Sequence, residues 1–255
     1  MLLFLHIPKT AGSTFQFILE NTFGVNACHS NHSKKKIFTR DDLTFARKLF
    51  PNMKSLAGHN LVDPLSLGAT DAFHLTFLRE PVARVFSYYQ DHLLSGNKIS
   101  FEDFLRGDIG LDNLHVRLMT GEQNLDKAKK YLERCDFVGL TEKFDLSLHV
   151  LQKLSPLPLN LNYKRRRSAP SDEVKKKLES DLRMVELALA HNQLDLQLYD
   201  FAVKEIFPRH YARAGFKPDD KVPSFDTYTT DKHWRYRMCH IYNSLIYRQA
   251  AKLRR

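Results

Sequence analysis

Cysteine is scarce in this 255-residue chain, with only Cys28, Cys135 and Cys239. An odd number at wide spacing argues against a disulfide framework and against a paired zinc site, and fits a reducing compartment. Apolar runs long enough to cross a bilayer are lacking, and the chain does not open on a basic stretch followed by a long apolar one. Neither a signal peptide nor an anchor is read, so a soluble, cytoplasmic protein with no transmembrane segment is expected. Repeats and low-complexity tracts are missing too, which excludes a solenoid. Acidic residues are in deficit: 29 Asp and Glu against 39 Lys and Arg leave a formal net charge of +10. That balance favours nucleotides, polyanionic glycans, nucleic acid or anionic lipid as partners without choosing among them.

What is present suits one α/β domain with an appendage, since 255 residues at 43% hydrophobic content can bury a full core. The most informative stretch is Leu2–Phe17. Leu2, Leu3, Phe4, Leu5 and Ile7 form a short apolar run suited to a strand buried on both faces. Pro8 ends it, and from Ser13 and Thr14 onward Phe15, Ile18 and Leu19 recur at helical spacing. The intervening loop, Pro8-Lys9-Thr10-Ala11-Gly12, brings backbone N–H groups, hydroxyls and one ammonium to the positive end of a helix, a place for phosphate or sulfate. The G-x-x-x-x-G-K-[ST] spacing of a Walker A loop is absent, and the lysine precedes the glycine. A plain tight turn with a solvated lysine is the other reading of the same residues.

Further strand ends carry polar residues. Lys54–Asn60 reads as a strand ending at Gly58-His59, where a neutral imidazole serves either as a proton acceptor or as a structural strand cap. His74–Leu78 reads as a second buried strand followed by Arg79-Glu80-Pro81, with Pro81 in the first turn of a helix that carries Ser87. Arg79 is suited to gripping a phosphate, with Ser87 adding a hydroxyl, or else to a salt bridge with Glu80 or Asp91. Cys28, His29 and His32 have poor zinc spacing and read as a surface loop. Asn113 and Arg117 share a helix face and either line a cleft or are solvated. A strand is predicted at Phe137–Leu140, with Thr141-Glu142 following. Tyr163-Lys164-Arg165-Arg166-Arg167 is either a cover for a nucleotide or a solvated basic loop.

Beyond Pro208, few aliphatic residues and two prolines predict an extended connector over 209–229. A final helix bears a stripe of Trp234, Met238, Ile241 and Leu245 among several arginines. Such a basic amphipathic helix lies on a membrane surface or, by preference, packs by that stripe on its own domain or on a partner subunit. The expected division is therefore 1–208 for the main domain and 209–255 for connector and helix.

Order and content of these sites resemble the sulfotransferases that use 3′-phosphoadenosine 5′-phosphosulfate, in particular the branch of heparan and chondroitin 2-O-sulfotransferases and their bacterial relatives. Pro8-Lys9-Thr10-Ala11-Gly12-Ser13-Thr14 looks like that family's 5′-phosphosulfate loop. Leu78-Arg79-Glu80-Pro81 with Ser87-Tyr88-Tyr89 looks like its 3′-phosphate motif. Asp112-Asn113 to Gly121, Phe137 to Glu142 and Asp195 to Phe201 resemble its later motifs, so the likeness runs from about residue 2 to 207. One departure stands out: the 2-O enzymes present His-Gly-His where this chain has Ala57-Gly58-His59.

The resemblance implies a P-loop-like parallel β-sheet flanked by helices, with a C-terminal helical extension. It implies in-line sulfuryl transfer from that donor, as co-substrate, to a hydroxyl of a carbohydrate or other small acceptor. Lys9 and His59 would be catalytic. Lys9, Thr10, Ala11, Gly12, Ser13, Thr14, Arg79, Ser87, Lys164 and Arg166 would bind the donor, with no metal and no nucleic acid required. The rival readings are a nucleotide-dependent phosphotransferase and a non-catalytic polyanion-binding protein.

Overall fold

The computed structural model describes residues 1–33, 35–107, 112–163, 173–217, 225 and 234–254. Its centre is a parallel sheet of β1 (Leu2–Leu5), β2 (Ala27–His29), β3 (Ser55–Gly58), β4 (Phe73–Leu78) and β5 (Phe137–Leu140), in the order β2-β3-β1-β4-β5. β1 is buried along its whole length because both faces are covered. Leu2 and Phe4 enter one core cluster with Phe15 and Ile18, while Leu3 and Leu5 enter the opposite one with Leu56 and Val138. This period of two explains why the run is continuously apolar rather than alternating.

Three helices place the site. α1 (Gly12–Phe23) follows the β1 loop, α2 (Arg40–Leu49) precedes β3, and α3 (Pro81–Leu94) follows β4. Thr39 starts α2 in a reciprocal capping box with Asp42. Pro81 opens α3 as expected, while the Glu80 carboxylate accepts from Val82 N at 3.1 Å and Ala83 N at 2.6 Å. From β1 the chain moves toward β2 and β3, and from β4 toward β5. The connections therefore diverge between β1 and β4, the place where open α/β sheets bind ligands beyond their strand ends.

Three expectations are corrected. The segment around Cys28 is the edge strand β2 rather than a surface loop, with Cys28 paired to Leu56 and buried. Only three residues long, it shows no periodicity. Pro208 does not end its helix: a π turn over Ala202–Ile206 leads into Phe207–Arg213 with the proline in the first turn. The π turn, an interruption of the regular helical ladder, comes just before the residue that has no N–H to give. Much of the expected connector beyond this helix lies outside the described residues.

The C-terminal helix, continuous over 234–253, packs on the main domain with the opposite face to the one expected. Trp234, Met238, Ile241 and Leu245 are all exposed, whereas Cys239, Asn243, Tyr247 and Ala251 are buried. Asn243 makes the seat specific: its Oδ1 accepts from His29 N at 3.0 Å and its Nδ2 donates to Ala27 O at 2.9 Å, along the outer edge of β2. Hydrogen bonding to an otherwise unpaired strand edge outweighs burial of the apolar stripe.

Candidate active site

The residues that follow β1, β3, β4 and β5 come out on one edge of the sheet. His6, Lys9, His59, Arg79 and Thr141 all line a single cavity of about 1160 Å³. Gly12, Ser13 and Thr14 of α1, Ser87 and Tyr88 of α3, and Tyr163 and Lys175 complete its wall. Pockets for small ligands commonly measure roughly 300–1,000 Å³, so this one has room for a nucleotide and a second substrate.

The β1 loop is built by unusual backbone. Lys9 has φ 69° and Ala11 φ 60°, both left-handed although neither is glycine. Such residues cost on the order of 1–3 kcal/mol each and persist where the surroundings hold them. Left-handed residues thus stand on either side of Thr10. Ala11 is the N-cap of α1, and no side chain caps that helix. The positive helix end therefore faces the cavity with no acidic residue in its first turn.

Lys9 reaches along the loop, its Nζ 3.4 Å from Asp91 Oδ1 on α3. Arg79 donates from Nη1 to the Lys9 carbonyl at 3.1 Å, tying the end of β4 to the β1 loop. Of the two carboxylates expected beside Arg79, Glu80 caps α3 and Asp91 pairs with Lys9. Thr10 is different from its neighbours. Its hydroxyl donates to Ile7 O at 2.9 Å and is fully buried, so it braces the loop from behind.

His59 Nδ1 stands 2.6 Å from the His6 carbonyl. A carbonyl only accepts, so the neutral ring carries its proton on Nδ1 and its lone pair on Nε2. Asn31 Oδ1 accepts from His59 N at 3.0 Å and holds the backbone. The His6 ring packs on His59 with centroids 3.9 Å apart. It also explains Gly12: a Cβ there would run into the His6 ring edge.

On the far wall Tyr163 is 3% exposed, packs edge-on against Phe144 and donates to Asp145 Oδ1 at 2.8 Å. The aromatic expected over a nucleotide base is thus held as a fixed wall. Lys164 and Arg166 lie outside the described residues. Lys175 lines the cavity as well and donates from its backbone to Gln90 Oε1 at 3.1 Å. Its lysine-rich helix looks like a solvated face in sequence, which hides it.

Behind the site lies a buried polar cluster that sequence reasoning missed. Arg84 is fully buried on α3 and donates to Asn192 Oδ1 at 3.1 Å. Burial lowers the Arg84 pKa. Burial pushes the Asp195 carboxyl up to about 6, with Arg84 and two backbone N–H groups pulling the other way. His115 is held well below its usual range by burial and by Arg84, so it stays neutral. Asn113 neither lines the cavity nor is solvated: its side chain is engaged with the helix that carries Asp195.

A model of the Sulfotransferase family matches residues 1–202, a span that contains all five strands and the β1 loop. No curated protein matches the chain.

Proposed function

The chain belongs to the sulfotransferase family, and on that premise we propose that it moves a sulfuryl group from 3′-phosphoadenosine 5′-phosphosulfate to a hydroxyl of a carbohydrate or other small acceptor. The observation that carries this reading is the convergence of an uncapped helix end, Lys9, Arg79 and His59 on one cavity. The strained loop offers preorganised N–H groups and an ammonium to an anionic, tetrahedral group. Arg79 and Ser87 are assigned to the 3′-phosphate, and Tyr163 to the wall beside the base. The +10 charge suits an anionic donor and a polyanionic acceptor.

In this mechanism the acceptor O–H gives its proton to His59 Nε2 as the oxygen attacks sulfur. The bond from sulfur to the bridging phosphate oxygen breaks, and 3′-phosphoadenosine 5′-phosphate leaves. Charge builds on the equatorial and leaving oxygens, where Lys9 and the loop N–H groups act. His59 is preset for its part, since its Nδ1 proton is committed to the His6 carbonyl.

Calorimetry with 3′-phosphoadenosine 5′-phosphate against adenosine 5′-phosphate tests the donor assignment. Preference for the bisphosphate by at least tenfold is expected. Lys9→Ala should lower turnover on the order of a hundredfold or more. Arg79→Ala should chiefly weaken bisphosphate binding. Equal binding of the two nucleotides, or Mg²⁺-dependent transfer of phosphate from ATP in place of sulfate, would overturn the reading.

A further inference from the structure

We propose that His6 is a positioning residue for His59, and that its pose is set by a polar relay through Gln16 and Glu20 to His240 on the C-terminal helix. The inference rests on His59 as the base, and it extends the reacting unit into a segment beyond the residues matched by the family.

The relay is continuous. His6 Nδ1 lies 3.2 Å from Gln16 Oε1, Gln16 Nε2 donates to Glu20 Oε1 at 2.7 Å, and His240 Nε2 lies 3.4 Å from Glu20 Oε2. Each link fixes the next by chemistry. A carboxylate only accepts, so the Gln16 amide must turn its NH₂ toward Glu20 and its oxygen toward His6. That oxygen makes His6 Nδ1 a donor. The ring is then clamped between Gln16 on one side and the face of His59 on another, with its edge against Gly12.

Gln16 and Glu20 are 8% and 5% exposed on α1, a helix whose other buried positions include Phe15, Ile18 and Leu19. A polar pair four residues apart on the buried side of a helix is costly unless each member is satisfied. Here the satisfaction runs from Glu20 both to His240 and, through Gln16, to the imidazole that packs at 41° on His59. His6 thereby controls His59 twice: its carbonyl selects the tautomer and its ring limits the tilt of the plane. Ala57, at the place of the histidine missing from the His-Gly-His pattern, is buried in the core beside Phe4 and Phe15. The second imidazole beside His59 comes from the end of β1 instead.

Gln16→Leu, which keeps the side-chain bulk and removes both relay bonds, tests the proposal. Turnover should fall about 10- to 100-fold, the scale of a small misplacement of a reacting group. The KM for donor and the affinity for 3′-phosphoadenosine 5′-phosphate should stay within about twofold, because the loop contacts are untouched. Nitrogen-15 NMR of the imidazoles in the full chain should report His59 with its proton on Nδ1 in both proteins, since the His6 carbonyl is untouched, and a changed His59 Nε2 shift in Gln16→Leu, where the His6 ring no longer limits its tilt. Should Gln16→Leu fail to fold, His240→Ala at the half-exposed end of the relay should shift turnover and the His59 Nε2 signal in the same direction. A purely structural network would lower the melting temperature and leave both readouts unchanged, which overturns the proposal. Absence of sulfuryl transfer by the wild type sinks the reading of the reaction, whereas the NMR result still decides the relay.

Discussion

Asn113 and Asp195 cap each other's helices. Asn113 is the left-handed N-cap of Leu114–Thr120, at φ 48°, and its Oδ1 accepts from Leu194 N at 2.8 Å and Asp195 N at 3.2 Å. Asp195, in the first turn of Gln193–Phe201, accepts from His115 N at 2.9 Å and Val116 N at 3.0 Å. Each side chain supplies what the other helix's open N-terminus lacks. The pair also sets the surroundings of Arg84, whose helix α3 carries Ser87 to the cavity wall.

The first prediction follows from this reciprocity. Asn113→Ala should cost about 1–2 kcal/mol, the usual range for a lost cap. Asp195→Ala should cost about 3–5 kcal/mol because it also strips a buried guanidinium of its nearby carboxylate. The two should couple by more than about 0.5 kcal/mol in a double-mutant cycle by urea unfolding. Additive losses would show that the caps act separately.

Gly12→Ala opposes two effects of different size. Helix propensity alone favours alanine by roughly 1 kcal/mol. The new Cβ, however, enters the space of the His6 ring, which must swing away from Gln16 and His59. The expected outcome is lower thermal stability and a turnover at least tenfold reduced. A more stable, fully active variant would show that the ring moves without consequence.

Acid should destabilise the fold through two imidazoles held neutral by their surroundings, the part-buried His29 and the buried His210. Burial, with His32, His59 and His240 nearby, lowers the His29 pKa to about 3, and burial with Arg213 and Arg209 lowers that of His210 to about 4. An unfolded histidine titrates near 6.5, so between these values the unfolded chain holds more protons than the folded one. Stability is therefore complete above about pH 6.5 and falls as pH drops toward the folded values, by up to about 1.4 kcal/mol per pH unit for each group. Unfolding free energies measured from pH 4.5 to 7.5 should show this slope, and His29→Asn should flatten it. An unchanged slope in that variant would remove His29 as a contributor.

The strands around the site were legible because burial on both faces leaves a local mark: Leu2–Leu5 is wholly apolar with Pro8 three residues on, and Phe73–Leu78 is mostly apolar and followed by Arg79. The start of α3 at Pro81 was legible because a proline acts within one turn of chain. β2 was not, because three residues on a sheet edge carry no period and gain their place from Ser55–Ala57. Nor was the seating face of the C-terminal helix, which is chosen by Asn243 meeting the backbone of Ala27 and His29, more than two hundred residues away in the chain.

The sequence by itself determined the strand-loop-helix from Leu2 to Phe17, the strands β1, β3, β4 and β5 and the residues that follow them, because periodicity, proline placement and short-range sterics are local properties. Only the tertiary structure decided which strand ends are neighbours, that Thr10 turns away while Lys175 turns in, and that His6 lies on His59. Those outcomes depend on the sheet order and on polar groups from distant segments satisfying one another, and no local pattern records a partner that far away.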